Sequence, residues 1–261
     1  TTQFGLPFAG DALVLIYRPD VLSPPQDWQA LLEGGHLLVF PAADPNAAVT
    51  LAFYLAQGGQ LLDEQGRPAL TEGALLNVLE YYQQAAAVNL MPFWLTQSQT
   101  DEQAWATFTA EQHPQLITWL SAYMAAQSAA SANLALAPLP NSGGTSFTLA
   151  TGWTWALASQ DPLRRELSTR LAEFLVDETF LGEWTQAAGY LPTRPEALKG
   201  WSNSTLRSVG GQIARSAQLI PAADVLANLG PVFEQATVSV LKAESAPLSA
   251  VQAALERLST P

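Results

Sequence analysis

Short apolar runs that stop at Gly or Pro, separated by stretches with helical spacing, constrain the fold of this chain most. An uninterrupted apolar run of this kind predicts a strand that is buried on both faces. The predicted strands are 12–17, 36–40, 116–120, 134–136 and 153–158. Because such strands alternate with helices over the first 160 residues, we predict an α/β fold whose sheet is covered by helices.

Helical patterns accompany these strands and predominate after residue 160. Helices are predicted to begin near Pro24, Asp44 and Thr71, with a helix over 123–132 and a loop over 141–145. Asp161-Pro162 is typical of a helix start, and apolar residues at 163, 167, 171, 174 and 175 make that helix amphipathic. Further helices are predicted over 179–187 and 229–240, and Ser249 with Gln252 resembles a capping box for a last helix.

The composition excludes several classes of function. The 261 residues carry 11 Lys and Arg against 23 Asp and Glu, a net charge of −12 that disfavours nucleic acid and anionic lipid as partners. With no Cys and only two His, the chain cannot supply a catalytic thiol, a thiolate metal site or a three-His metal site. Eight Trp in a chain with 13% charged residues suggest a surface that stacks against a ligand.

Four segments carry a resemblance through their order and spacing. They are 5–20 followed by the 24–31 helix with Trp28, then 105–123, then 152–158 with 162–175, and finally 189–194, which reads Gly-Tyr-Leu-Pro-Thr-Arg. Together they resemble the extracytoplasmic solute-binding proteins of ABC importers, in the carbohydrate-binding group that includes maltose-binding protein (family 1). The resemblance runs from about residue 4 to residue 258.

The resemblance implies a fold of the periplasmic-binding-protein type II kind, with two lobes joined by hinge crossovers. In the family a substantial stretch precedes the strand at which this chain begins, so we expect a fragment with an incomplete first lobe, the alternative being a protein with a reduced first lobe. The implied division is 1–10 as the tail of the first lobe and hinge, and 11–150 as the second lobe. Residues 151–224 would return to the first lobe, and 225–261 would pack helices on the second lobe.

The family also implies a function. The lobes are expected to close on a small-molecule solute, most simply a sugar, which an ABC permease then receives. We expect a monomer with no cofactor, no metal and no catalytic residues, located outside the cytoplasmic membrane and lipid-anchored in the full-length protein.

Two acids are candidate ligand contacts. Asp11 follows Gly10 at the start of a buried strand and matches an acidic ligand contact of the family. Its alternative role is to cap that strand. Asp44 matches a second acidic position, and its alternative role is to cap the helix that follows.

The other candidate ligand contacts are mainly aromatic. Trp153 and Trp155 lie on the same face of a predicted strand, either in a ligand cleft or in the core. Trp119, Ser121 and Tyr123 lie at the end of the predicted 116–120 strand, where ligands collect in open α/β sheets. Ser121 stands where maltose-binding protein carries its main tryptophan platform, which argues against a linear maltodextrin as ligand.

Two other functions remain open. An acid-pair glycoside hydrolase also needs aromatic platforms, and Asp11, Asp44 and Glu111 are available as its carboxylates. A sensory module that binds a solute without transporting it would have the same sequence features. We therefore expect a non-enzymatic binding protein, with these two alternatives to be tested.

Overall fold

The structure is a computed structural model that describes residues 5–128, 133–143 and 146–259. Residues 1–4 of the predicted first-lobe tail, the end of the predicted 123–132 helix and the end of the predicted 141–145 loop lie outside these ranges. Within the described residues, seven strands and ten α-helices form a mixed α/β architecture, as the apolar runs predicted. No helix in this part of the chain has the length and apolar character needed to cross a membrane.

One long strand, β1 (Leu6–Tyr17), organises the sheet. Its second half, from Leu13 to Tyr17, pairs antiparallel with β3 (Gln115–Trp119), and its last three residues also pair with β4 (Ala135–Ala137). Its first half pairs antiparallel with β5 (Thr148–Trp155). The partner therefore changes between Ala12 and Leu13, in the middle of a continuous strand.

Three short strands complete the sheet. β2 (Leu38–Val39) lies parallel to β3, and β6 (Leu191–Pro192) pairs antiparallel with β1 at Ala9 and Gly10. β7 (Ala217–Leu219) runs parallel to β5. The order β2-β3-β1-β5-β7 places β1 at the centre of this path, with β2 and β7 at its two ends.

The helices before residue 130 cover the sheet around the second half of β1. They are α1 (Trp28–Gly34), α2 (Ala48–Ala56), α3 (Glu72–Ala87), α4 (Asp101–Ala110) and α5 (Leu120–Ser128), with a 3-10 helix at Phe93–Gln97. Asp27 caps α1 by accepting a hydrogen bond from the amide of Ala30 at 2.8 Å. α9 (Ala223–Leu241) and α10 (Pro247–Ser259) also pack against α3, so the end of the chain closes this core.

The remaining helices, α6 (Pro162–Leu175), α7 (Glu178–Ala188) and α8 (Ser204–Ser216), lie beside the first half of β1. The amphipathic pattern of α6 predicted a core-facing stripe. Instead, Leu163, Leu167, Leu171 and Phe174 are all more than half exposed. We call these four side chains the α6 apolar face. A cavity of about 830 Å³, lined in part by Leu171, Trp155 and Arg194, lies beside it.

Several predicted bounds are wrong: the predicted strand 12–17 begins at Leu6, and the predicted strand 36–40 is reduced to Leu38–Val39. The predicted strand 153–158 begins five residues earlier, at Thr148, because its first residues pair with β7. It ends at Trp155 because its pairing with β1 stops opposite Leu6. The predicted capping box at Ser249 is wrong because α10 begins at Pro247, a residue suited to the first helical position. The Ser- and Gly-rich segment 200–217, whose sequence has no clear helical or strand pattern, holds α8, capped by the side chain of Asn203.

Candidate functional site

Strand β1 brings four of the predicted site residues into one row. Leu6 pairs with Trp155, Ala9 with Trp153, and Leu13 with Trp119, while Asp11 lies between the last two pairs. At about 3.3 Å per residue, the row extends over roughly 20 Å. Candidates from three distant parts of the sequence are therefore aligned along β1, either on it or paired with it, on both sides of the point where its partner changes.

Asp11 forms a compact hydrogen-bonded link to Ser121. One carboxylate oxygen accepts from the amides of Ala12 at 2.9 Å and Ser121 at 3.1 Å, and the other accepts from the Ser121 hydroxyl at 2.6 Å. Since Ser121 is the second residue of α5, Asp11 satisfies a free amide at the start of that helix. Burial raises the pKa of Asp11, against the lowering effect of these hydrogen bonds. The geometry thus joins β1 to the β3–α5 junction.

Tyr123 lies next to this link but points into the core. Its side chain is 5% exposed, and its hydroxyl donates to the carbonyl of Leu134 at 3.4 Å. Burial raises its pKa, and the neighbouring Tyr17 raises it further. Among the candidates, Tyr123 and Asp11 are therefore enclosed by protein, whereas Ser121 is partly exposed.

Trp119 belongs to a second polar cluster. Its indole nitrogen donates to one oxygen of Asp101 at 3.1 Å, while the hydroxyl of Thr118 donates to the other at 2.8 Å. Burial is the main cause of the raised pKa of Asp101, and the charge of Asp44 raises it as well. Asp44 itself accepts from the amides of Asn46 and Ala48, and so caps the turn that precedes α2. Asp101 thus interacts with both candidates: it accepts a hydrogen bond from Trp119 and is affected by the charge of Asp44.

Trp153 and Trp155 lie in a continuous aromatic run at the other end of the row. Phe8 stacks on Trp155 with ring centroids 4.2 Å apart and lies 5.5 Å from Trp184. The run continues from Trp184 to Tyr190 at 6.5 Å and from Tyr190 to Trp153 at 4.7 Å. Trp153 is 43% exposed and Trp155 is 40% exposed. Both tryptophans therefore combine an anchored ring with an accessible face.

The site offers aromatic faces and hydrogen-bond acceptors, which suits a neutral polar ligand. Among the described residues, no group of three or more His, Asp or Glu side chains could hold a metal ion. The acids considered for hydrolysis have separate partners. Asp11 is bonded to Ser121, Asp44 to its own turn, and Glu111 lies 2.9 Å from the ring of His113.

Several residues of the site escaped sequence reasoning. Asp101 follows Thr100 at the start of α4, so its local signal is that of an ordinary helix N-terminus. Phe8 and Tyr190 lie in segments that carry the family resemblance, but nothing in those segments marks them as ligand contacts, and the apolar pattern of the helix around Trp184 is typical of a core position. Phe8, Trp184 and Tyr190 come together through the pairing of β1 with β5 and β6 and through the packing of α7 against β6.

Comparison with known proteins agrees with this architecture. Residues 1–207 match the family of bacterial extracellular solute-binding proteins. The sugar-binding protein MalE from Xanthomonas citri superposes with a TM-score of 0.80 at 18% identity, covering 98% of this chain and 70% of its own. Maltose-bound MalE3 from T. maritima gives a TM-score of 0.77 at 20% identity, covering 98% and 72%.

A third solved structure extends the agreement. The cyclic alpha-maltosyl-1,6-maltose binding protein from Arthrobacter globiformis gives a TM-score of 0.77 at 18% identity, covering 98% of this chain and 71% of its own. No curated protein sequence matches the chain. At these identities the structures establish the fold, and the prediction of the two-lobed binding-protein class is confirmed.

Proposed function

Because the chain belongs to the family of bacterial extracellular solute-binding proteins, we propose that it binds a carbohydrate and presents it to an ABC importer. The solved structures it resembles include proteins bound to maltose and maltotriose. A sugar presents apolar C–H faces together with a polar rim of hydroxyls, so its site needs aromatic surfaces beside fixed acceptors. The row along β1 supplies both.

The accessible tryptophans of the aromatic run carry the proposal. Trp153 and Trp155 expose two-fifths of their surface although their rings are held by Tyr190 and Phe8. Large aromatic side chains that are anchored but accessible are a common feature of binding sites, since little side-chain freedom is lost when a ligand stacks on them. We propose that these two rings and Trp119 stack on the sugar.

The polar candidates receive different proposed roles. The charge of Asp44 acts on Asp101, which holds Trp119, and we propose that the Asp44 carboxylate accepts hydrogen bonds from sugar hydroxyls. For Asp11 and Ser121, we propose that their mutual hydrogen bonds fix the floor of the site, where Ser121 is partly exposed. Tyr123 is proposed to support that floor from the core side.

The α6 apolar face bears on the arrangement of lobes. A stripe of four exposed apolar side chains beside a cavity of about 830 Å³ is unusual on a soluble domain. The solved structures are longer, since this chain spans about 70% of their length. We propose that 151–224 belongs to the first lobe, whose remaining part covers the α6 apolar face and supplies the opposite wall of the cleft. The second lobe would comprise 11–150 with 225–261.

A fluorescence titration tests carbohydrate binding. Glucose, maltose, maltotriose and galactose are added to the protein, with glutamate and inorganic phosphate as competing solute classes. We expect a saturable change with at least one sugar, and Trp153→Phe to weaken the affinity about tenfold or more through lost contact area. Trp94→Phe is the matched control, because Trp94 stacks on His113 away from the row.

Two results would overturn the proposal. One is no response to any sugar together with a clear response to glutamate or phosphate. The other is an equal loss of affinity in the Trp153 and Trp94 variants. If the site lacks a wall from the first lobe, the affinity should also be far weaker than in a protein that carries the complete lobe, because contacts from one side are missing.

The protein is proposed to bind its sugar without turnover, as a monomer, with the extracellular location of its family and a lipid anchor in the intact protein. An assay for released reducing sugar with maltotriose as substrate tests the first point. Activity that disappears in Asp11→Asn would instead support a hydrolase. Membrane association that depends on a lipidated N-terminus would support the anchor.

A further inference from the structure

Asp101 has an unusual set of contacts for a side chain at the start of a helix. It is the first residue of α4, and both of its carboxylate oxygens accept hydrogen bonds from β3, the strand that packs against this helix. One bond comes from Thr118 and the other from the indole of Trp119. The two donors are adjacent in sequence, so the carboxylate spans consecutive side chains at the end of one strand.

The carboxylate is held there at an energetic cost. Burial disfavours its ionised form, and the charges of Asp44 and Glu102 add to this effect. Among the described residues, no Lys or Arg lies within ion-pair distance of Asp101. The compensation comes from the two hydrogen bonds and from its place at a helix N-terminus, where the aligned peptide dipoles favour negative charge.

The bond to Trp119 has a specific consequence for the indole. A tryptophan ring has a single polar hydrogen, on Nε1, and Asp101 occupies it. The ring is therefore fixed in one orientation and offers a solute its π face and edge carbons. It cannot donate from nitrogen to a hydroxyl without breaking an existing bond to a charged acceptor.

We propose that Asp101 is the positioning residue of Trp119, and that it makes this indole a preorganised stacking platform rather than a hydrogen-bond donor. That Asp101 orients the Trp119 ring follows from the geometry alone. That the ring stacks on a sugar rests on the proposed function. It assigns a solute specificity: the part of the sugar that meets Trp119 is a C–H face, not a hydroxyl.

Three variants separate positioning from general structure. Asp101→Ala removes both acceptors, Asp101→Asn keeps one amide oxygen as an acceptor, and Thr118→Val removes the neighbouring bond while leaving the bond to Trp119. The readout is the indole Nε1–H signal of Trp119 in a ¹H–¹⁵N spectrum of the free protein, assigned by its absence in Trp119→Phe.

In Asp101→Ala we expect this signal to shift toward that of a free indole and to show increased fast motion. Asp101→Asn and Thr118→Val should retain the wild-type position closely. An unchanged Trp119 signal in a folded Asp101→Ala protein would refute the positioning role, as would an equal shift in Thr118→Val.

Titration with the four sugars named above tests the functional part. Affinity should fall about three- to tenfold in Asp101→Ala, because the ring must then be ordered on binding, and should recover in Asp101→Asn. An undiminished affinity in Asp101→Ala would refute the platform role. If no sugar binds the wild-type protein, the proposed function fails, and the spectrum still decides whether Asp101 positions Trp119.

Discussion

Replacement of Asp11 by Ala is the sharpest test of how the central strand is held. The change removes the acceptor for three donors: the amides of Ala12 and Ser121 and the Ser121 hydroxyl. Loss of a helix-capping acceptor costs about 1 kcal/mol, and a polar group left unpaired in a buried place costs about 1–3 kcal/mol. Against this, the wild-type protein bears the cost of a buried charge, which the raised pKa of Asp11 reports.

These costs add to about 2–4 kcal/mol, and relief of the buried charge offsets part of them, so we expect Asp11→Ala to lose about 1–3 kcal/mol in the free energy of unfolding. Ser121→Ala removes one of the three donors and should cost about 1 kcal/mol. Because the two side chains bond each other, the double variant should lose less than the sum of the single variants, by about 1 kcal/mol.

Urea unfolding followed by far-UV circular dichroism gives these free energies for all four proteins. The slope with denaturant should be unchanged, since the change affects a contact and not the surface exposed on unfolding. The reasoning is refuted if Asp11→Ala loses less than about 1 kcal/mol, or if the single effects add fully in the double variant.

Three further predictions concern packing, titration and the exposed surface. Gly230→Ala should destabilise the protein, because the added Cβ would lie 2.5 Å from the carbonyl oxygen of Pro45. Gly211→Ala should stabilise α8 by up to about 1 kcal/mol, because the nearest side-chain atom beyond its chain neighbours lies 3.7 Å from the added Cβ. Urea unfolding measures the free energy of unfolding of both variants. Burial raises the pKa of Asp101 in the folded protein, so the free energy of unfolding falls as pH rises and Asp101 ionises. The wild type should therefore gain unfolding free energy relative to Asp101→Asn as pH falls from 7 toward about 4, and a constant difference contradicts this. Leu167→Glu should change the unfolding free energy by less than about 0.5 kcal/mol while reducing binding of an apolar dye, and a loss above about 2 kcal/mol would mean that this side chain is packed.

Strands that are apolar on both faces were the most predictable part of the fold. The run that forms the second half of β1 is buried almost completely, so its pattern depends little on its neighbours. The start of β5 was predicted too late because no long apolar run marks it. Thr148 and Leu149 are buried there, and residues 148–150 form a strand because they pair with β7. Its end at Trp155 is exposed, although its composition is typical of a core strand.

The site was predictable only where a residue stands on a recognisable strand. Asp11, Trp119, Ser121 and Trp153 could be proposed in this way, but the contacts that join them to other side chains could not. Asp11 meets Ser121 across 110 positions of sequence, and Asp101 meets Trp119 across 18. Such contacts depend on how helices dock on the sheet, and no local spacing encodes them.

The change of partner within β1 has a mechanical consequence. Because one continuous strand belongs to both halves of the sheet, a rotation of one half against the other is a torsion about the backbone near Ala12 and Leu13. Asp11 lies one residue from this point and would move little, whereas Trp155, paired opposite Leu6, is the candidate farthest along the strand from it. A solute shifts such an equilibrium only through contacts that differ between the two states. Contacts near the change of partner would therefore add to the affinity in both conformations. Contacts far from it would differ between the conformations and so shift the equilibrium when a solute binds.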